Sequence, residues 1–359
     1  MNNFKKVGLT ALAGSLVAVS AHAGELTVTG GANITLKHGN ASSTTNTSGR
    51  GIGTDKDVAF KGTGELDNGT TFTVFTATTD TQGDLTSGYI SIATPSFGSF
   101  LMGHHSGAAH YKYDEEVPQV YEQVSDITAL VTANKVGDFM DNNHITYTSP
   151  SFDLGGASIT LDLGYASDAN DTQTADGGVP GEGTYGSGTE AGITIAYDAF
   201  KFGIYGAERE NETPAAAGSD TVRDEFNGVW YAKYSFGPVA IGYSESYLDS
   251  GVTGTAEATT AAKTLRTAAG YFEGSQIGVA FNVNDNLSVS YTESEETYNA
   301  QAGTGITVAD VDMEVDAIQV AYSMGGMSIK AYQMDVTNPA FDEDADDSKV
   351  TEIALGLAF

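Results

Sequence analysis

The chain has no cysteine, so neither a disulfide framework nor a thiolate metal site can be built from it. Basic residues are scarce: 16 Lys and Arg stand against 47 Asp and Glu, for a formal net charge of −31. A balance of that sign gives a phosphate backbone no basic footprint, so nucleic acid is excluded as a partner and cations are favoured. No Gly-x-Ser-x-Gly nucleophile turn occurs, and none of the six histidines forms a His-x-x-x-His pair. No enzyme, reaction or cofactor is implied. Long apolar runs are also missing. The only one, residues 7–19, is too short for a transmembrane helix.

That run has another reading. Lys5 and Lys6 precede it and Ala21-His22-Ala23 follows, the pattern of a secretory signal peptide cleaved after Ala23. Removing 1–23 would take two lysines and no acids, lowering 16 basic residues to 14 and the charge from −31 to −33. The expected mature chain, 24–359, shows no linker or change of composition and reads as one unit.

What is present is β-structure. Forty-four Gly, 18 Tyr and 16 Phe beside one Trp suit short strands joined by tight turns. Residues 25–37 alternate strictly, with Leu26, Val28, Ile34 and Leu36 on one face and Thr27, Thr29, Asn33, Thr35 and Lys37 on the other. Asp67-Asn68-Gly69 is a hairpin turn. The same rhythm returns along the chain and ends in Ile353, Leu355, Leu357 and Phe359. About sixteen strands of about ten residues result, the length that crosses a bilayer when tilted. Connections alternate short and long, and the long ones are polar: 168–188, 208–225, 249–264, 295–312 and 336–349. One strand face is continuously apolar and the other is Thr, Ser, Gly and Asn, a poor core but a suitable lining for water. This predicts an all-β fold, a transmembrane antiparallel up-and-down barrel.

One stretch breaks the alternation. Residues 104–141 are too long for an idle connection and carry Asp114, Glu115, Glu116, Glu122, Asp126, Asp138 and Asp141 against Lys112 and Lys135. Val117, Val120, Tyr121, Val124, Ile127 and Val131 recur at helical spacing, with Gln119, Glu122, Gln123 and Asp126 opposite and Leu130 out of step. The spacing predicts a loop with a short helix, its apolar side on a wall and its carboxylates in water.

Several segments resemble the general diffusion porins of Gram-negative bacteria. Ala59-Phe60-Lys61-Gly62 with Leu66-Asp67-Asn68-Gly69 is similar to their first hairpin. Residues 97–103, Phe-Gly-Ser-Phe-Leu-Met-Gly, resemble the strand entering their constriction loop, and Asn142-Asn143-His144-Ile145-Thr146-Tyr147-Thr148 the strand leaving it. The terminal Phe359 resembles their outer-membrane assembly signal. The resemblance implies a sixteen-stranded homotrimer in the outer membrane, contacting lipid and lipopolysaccharide. Its third long loop, here 104–141, would fold inward to narrow the pore, with Asp114, Glu115, Glu116, Glu122 and Asp126 at the constriction. One feature departs from the family: the arginines usual on the opposite wall are missing, and Arg50, Arg209, Arg223 and Arg266 all lie in or beside long loops. Strand parity leaves Lys37, Lys61, Lys201 and Lys330 as lumen bases.

Two clusters suggest metals. His104, His105, His110, Asp114 and Glu115 could hold a transition metal, but neighbouring histidines on a strand point opposite ways, so they read as a polar hinge and no metal is assigned. Asp342, Glu343, Asp344, Asp346 and Asp347 have the oxygen density that suits structural Ca²⁺ or Mg²⁺, yet lack the Gly and terminal Glu of an EF-hand, and a solvated loop is the competing reading. The expectation is a passive channel for small hydrophilic solutes and ions, cation-preferring through an acidic constriction. Its alternative is a substrate-specific channel with a saturable site, which would need a ladder of lumen aromatics. Only Tyr205 and Tyr332 have that parity in this reading. A calcium-folded secreted protein would show Gly-Gly-x-Gly-x-Asp repeats, and none occur. An adhesin or surface receptor would carry its binding on the long loops.

Overall fold

A computed structural model describes residues 24–39, 49–79, 85–104, 106–114, 116–128, 130–141, 143–169, 185–211, 223–251, 270–300 and 310–358. The side chains of Thr79, Leu85, Thr86, Asp126, Asn134, Lys135 and Ala300 are not among what it describes. The leader expected at 1–23, together with His105, Glu115, Arg266 and Phe359, lies outside the described residues.

Seventeen strand segments form one antiparallel sheet. The first are β1 (Glu25–His38), β2 (Arg50–Glu65), β3 (Thr71–Thr79), β4 (Leu85–Thr94), β5 (Gly98–His104), β6 (His144–Thr148) and β7 (Phe152–Leu154). Next come β8 (Ala157–Ala166), β9 (Tyr185–Tyr197), β10 (Phe200–Asn211), β11 (Glu225–Phe236) and β12 (Val239–Asp249). The last are β13 (Gly270–Asn282), β14 (Leu287–Ala300), β15 (Val311–Met324), β16 (Met327–Thr337) and β17 (Ser348–Ala358). β6 and β7 both pair with β8 and form one wall strand interrupted at Pro150, so the wall has sixteen strands. β1 pairs with β17 from Gly31↔Ala358 to His38↔Thr351, which closes the barrel and leaves no edge.

The outer face is apolar because lipid replaces a core. Val74, Ile90, Ile92, Phe100, Met102, Ile145, Leu161, Leu163 and Ile193 are all exposed on it. Tyr197, Tyr234, Phe236, Phe281 and Tyr322 lie at the rim of short turns, where aromatic rings suit a membrane interface.

Buried side chains mark the other face, and they are unevenly spread. Two clusters hold them, one against β8–β11 with Tyr113, Val136, Phe139, Met140, Tyr205 and Tyr231, the other against β12–β17 with Val124, Leu130, Val131, Phe272, Met313 and Met334. Among the described residues, no side chain of β1–β5 is buried. In β15 the apolar face therefore changes sides. Val311, Met313 and Val315 are buried in a cluster that includes Val124, Leu130 and Val131 of residues 106–141 and also Phe341, whereas Ile318, Val320 and Tyr322 face outward. Asp312, Glu314 and Asp316 take the outer positions beside the buried three.

Several sequence boundaries need correcting. β2 begins at Arg50 rather than after Thr54, and β14 and β15 extend into the segment 295–312 read as loop. No helix spans 117–131 either. Two short ones form, α1 (Val124–Ile127) and α2 (Val131–Lys135), with Leu130 buried between them. Residues 117–123 are not helical, because their backbone groups bond to the wall instead.

Candidate functional site

Residues 106–141 run out along the wall and back again. On the outward pass Ala109 N donates to Glu190 of β9 at 2.9 Å, and Tyr205 OH donates to the same carboxylate at 2.7 Å. Tyr113 donates to Asp162 of β8 at 2.8 Å and stacks on Tyr205 with centroids 5.1 Å apart. Val120 N then donates to Ser290 of β14, and Tyr121 N to Gln319 of β15 at 2.8 Å. Tyr121 OH reaches Glu352 of β17 at 2.6 Å. On the return, Val131 N and Thr132 N donate to Glu296 of β14, Gly137 N donates to Asn227 of β11 at 2.8 Å, and Tyr111 OH donates to Asp141 at 2.8 Å. Buried main-chain donors need partners, and barrel side chains supply them.

Glycines in the wall make room for this segment. A Cβ on Gly192 of β9 would lie 2.4 Å from the Tyr113 ring, and one on Gly278 of β13 would lie 2.4 Å from Val117. Only glycine lets the loop approach this closely.

The expected constriction residues fall in different settings. Glu116 is not turned toward water: it accepts from Lys201 of β10 at 3.0 Å and from Lys233 of β11, both of which lie near the Tyr231 ring. Asp114 is half-buried, as is Glu122, whose carbonyl accepts from Gln319 at 2.6 Å. Asp126 belongs to α1, but its side chain is outside the described set. Lys112 pairs with the buried Asp162. Burial holds the Tyr113 and Tyr121 hydroxyls well above the usual tyrosine range, and the Asp162 and Glu352 carboxylates beside them add to the shift.

The wall lysines all have the expected parity. Lys37 is in register with Glu352 across the seam, Lys61 is in register with Phe75 of β3, and Lys330 sits 5.2 Å from the centroid of Tyr121. Sequence reading missed Lys233. Its strand parity was hidden because Val229, on the same face, is apolar and buried while Trp230 faces outward. It also missed further lumen-parity aromatics, among them Tyr231, Phe75, Tyr89, Phe272 and Tyr298. Arg209 was assigned to a loop but is a buried member of β10, bonded to Glu225 at 2.6 Å and to the Ala169 carbonyl at 2.8 Å.

Among the described residues, no three His, Asp or Glu side chains converge as a metal site requires. Within the acidic run, Asp342 accepts from Asp344 N at 3.1 Å in a local turn, and Glu343, Asp344, Asp346 and Asp347 are exposed.

A closed barrel with a polar interior and an interior segment of this kind can be compared with known proteins. A family model described as Gram-negative porin matches residues 8–274. The chain belongs to the Gram-negative porin family. Its place is therefore the outer membrane, and its activity is that of a diffusion channel. No curated protein matches the sequence. Solved structures agree in fold. A Salmonella typhi OmpF, solved in complex with daunomycin, shares 12% identity at a TM-score of 0.64, covering 94% of this chain and 98% of its own. A porin refined at 1.8 Å shares 15% identity at 0.61, over 93% of this chain and 100% of that one. OmpT of Vibrio cholerae, in trimer form, shares 12% at 0.59, over 94% and 100%.

Proposed function

We propose that this porin passes small hydrophilic solutes and ions through a lumen narrowed by residues 104–141, with a preference for cations. The path runs between that loop and the bare wall of β1–β5. The observation that carries the preference is that these lysines are paired with carboxylates: Glu116 is shared by Lys201 and Lys233 and offsets one of their two charges, and Asp162 offsets Lys112. Among the described arginines, Arg209 is bonded to Glu225 behind the loop and Arg223 to Asp249. Asp55 and Asp57 of β2 stand on the inner face of the bare wall, and Glu122 lies on the loop. In a narrow passage such charges act within a Debye length of about 8 Å at physiological salt and raise the local cation concentration. The trimer form of the Vibrio cholerae relative supports a homotrimer. No reaction is proposed.

Single channels recorded across a salt gradient test this. The reversal potential should have cation sign and shrink at high salt. Changing Glu115, Glu116, Glu122 and Asp126 together to Gln or Asn should reduce it more than neutralising residues 342–347. If the outer run proves the stronger determinant, the constriction assignment fails.

A further inference from the structure

The bare wall is not uniformly polar. Phe75 of β3 and Tyr89 of β4 are direct cross-strand partners, and their rings stack with centroids 5.0 Å apart and planes 19° apart. Both point inward, because their strand neighbours Val74 and Ile90 are 48% and 54% exposed on the lipid face. Each ring is only half-buried. Among the described inward residues of β1–β5 these are the only aromatic ones. The row on one side of them is Thr63–Thr73–Ser91 and the row on the other is Ala59–Ala77–Ser87. The charged residue in their own row is Lys61, the partner of Phe75 on β2.

The level of this row matters. Phe75 sits at the middle of β3, and Gln319, which anchors Tyr121, sits near the middle of β15. The loop's hydrogen-bonded anchors run from β6 to β17, so the ring pair faces the loop across the open path. A solute passing the loop therefore meets an apolar aromatic step with Lys61 in the same row.

We infer that Phe75, Tyr89 and Lys61 form a weak solute subsite in the lumen for aromatic carboxylates. The rings take a planar apolar face and Lys61 takes the carboxylate. Partial exposure of all three keeps the site shallow, as a transit channel requires. One additional ring contact in an aromatic pair multiplies affinity about threefold to tenfold. This inference rests on the channel reading above and gives the bare wall a substrate class.

The test is current block in planar bilayers, using phenylacetate, acetate, 2-phenylethylamine and benzyl alcohol as probes on the full-length porin. Phenylacetate should interrupt the current at about threefold to tenfold lower concentration than acetate. The double variant Phe75→Ser with Tyr89→Ser should erase that difference while the channel still conducts KCl. Lys61→Gln should weaken block by phenylacetate but leave block by benzyl alcohol as it was. Should the double serine variant fail to insert, Phe75→Leu with Tyr89→Leu keeps apolar volume and removes the stack, and the same loss is expected. Equal block by phenylacetate and acetate, undiminished block in the double variant, or stronger block by the amine than the acid would each overturn the subsite. Absence of any wild-type conductance would instead sink the channel reading itself.

Discussion

Tyr121 donates its hydroxyl to Glu352 at 2.6 Å, tying the far end of the interior loop to β17, beside the seam where β17 meets β1. The two residues are 231 positions apart in sequence. A hydrogen bond to a charged acceptor contributes about 1.5–3 kcal/mol. Its loss releases the loop at the point farthest from both of its roots.

Tyr121→Phe should thus leave the barrel assembled but make the open-channel current noisier. The same bond carries a pH dependence. Burial, followed by Glu352, raises the Tyr121 hydroxyl above its ordinary value of about 10. A folded value above the unfolded one means that this stabilisation is complete at neutral pH and drains away as pH rises beyond the unfolded value. Thermal melts of wild type and Tyr121→Phe should differ at pH 7 and converge in strong alkali. No gap at pH 7 would show that the hydroxyl contributes nothing, and a constant gap up to pH 12 that its titration is not what sets the pH dependence.

Glu116 holds two cations, so its removal should act on selectivity more than a single exposed charge does. Glu116→Gln leaves the cross-strand partners Lys201 and Lys233 beside the Tyr231 ring without their shared carboxylate. The cation-sign reversal potential should fall below that of Glu122→Gln under the same gradient. Lys233→Met should move it the other way. If Glu116→Gln and Glu122→Gln give the same potential, the lysine pair does not reach the ion path.

The acidic run 342–347 has a simpler test. Its exposed side chains and local Asp342 turn fit a diffuse ion atmosphere, in which no bound ion stabilises the fold by mass action. Melting curves with and without a chelator should coincide. A lower melting temperature with chelator would assign an ordered divalent ion to this loop.

The membrane-embedded half of each strand was legible because lipid on one side and water on the other force a period of two, as in Leu161 and Leu163 against Asp162. Where the surroundings change, the period fails. The upper part of β2, Arg50-Gly51-Ile52-Gly53-Thr54, shows no apolar face and reads as loop. Upper β15 reverses its apolar side because Met313 and Val315 are buried in an inner cluster with Leu130, Val131 and Phe341. The loop acids were legible as a group, but their partners were not. Nothing local in the sequence brings Glu116 to Lys233, since barrel curvature and the loop's path set that meeting. The aromatic row on β3 and β4 was missed for a related reason: Phe75 follows Val74 and Tyr89 precedes Ile90, so apolar residues fall on both faces there and alternation assigns neither side.

The wall glycines offer the most direct handle on pore width. A Cβ at Gly278 would lie 2.4 Å from Val117 and 2.8 Å from the Pro118 carbonyl, and one at Gly242 would lie 2.5 Å from Pro118 Cδ. Such separations cannot be met without moving the loop. Gly278→Leu adds a whole side chain there, and overpacking of this kind costs about 1–3 kcal/mol. β13 is paired along its length on both sides, from Val239↔Phe281 on one to Gly270↔Ala300 on the other, so the loop should yield before the wall does. It is displaced toward β1–β5, where no described side chain is buried. Unitary conductance should therefore fall in Gly278→Leu, and the exclusion limit in liposome swelling with sugars of increasing size should drop with it. A matched substitution on the β1–β5 wall, Gly51→Leu, where a Cβ meets nothing within 4 Å, has no loop to push and should leave both readings close to wild type. Unchanged conductance in Gly278→Leu would mean that residues 116–119 do not border the ion path.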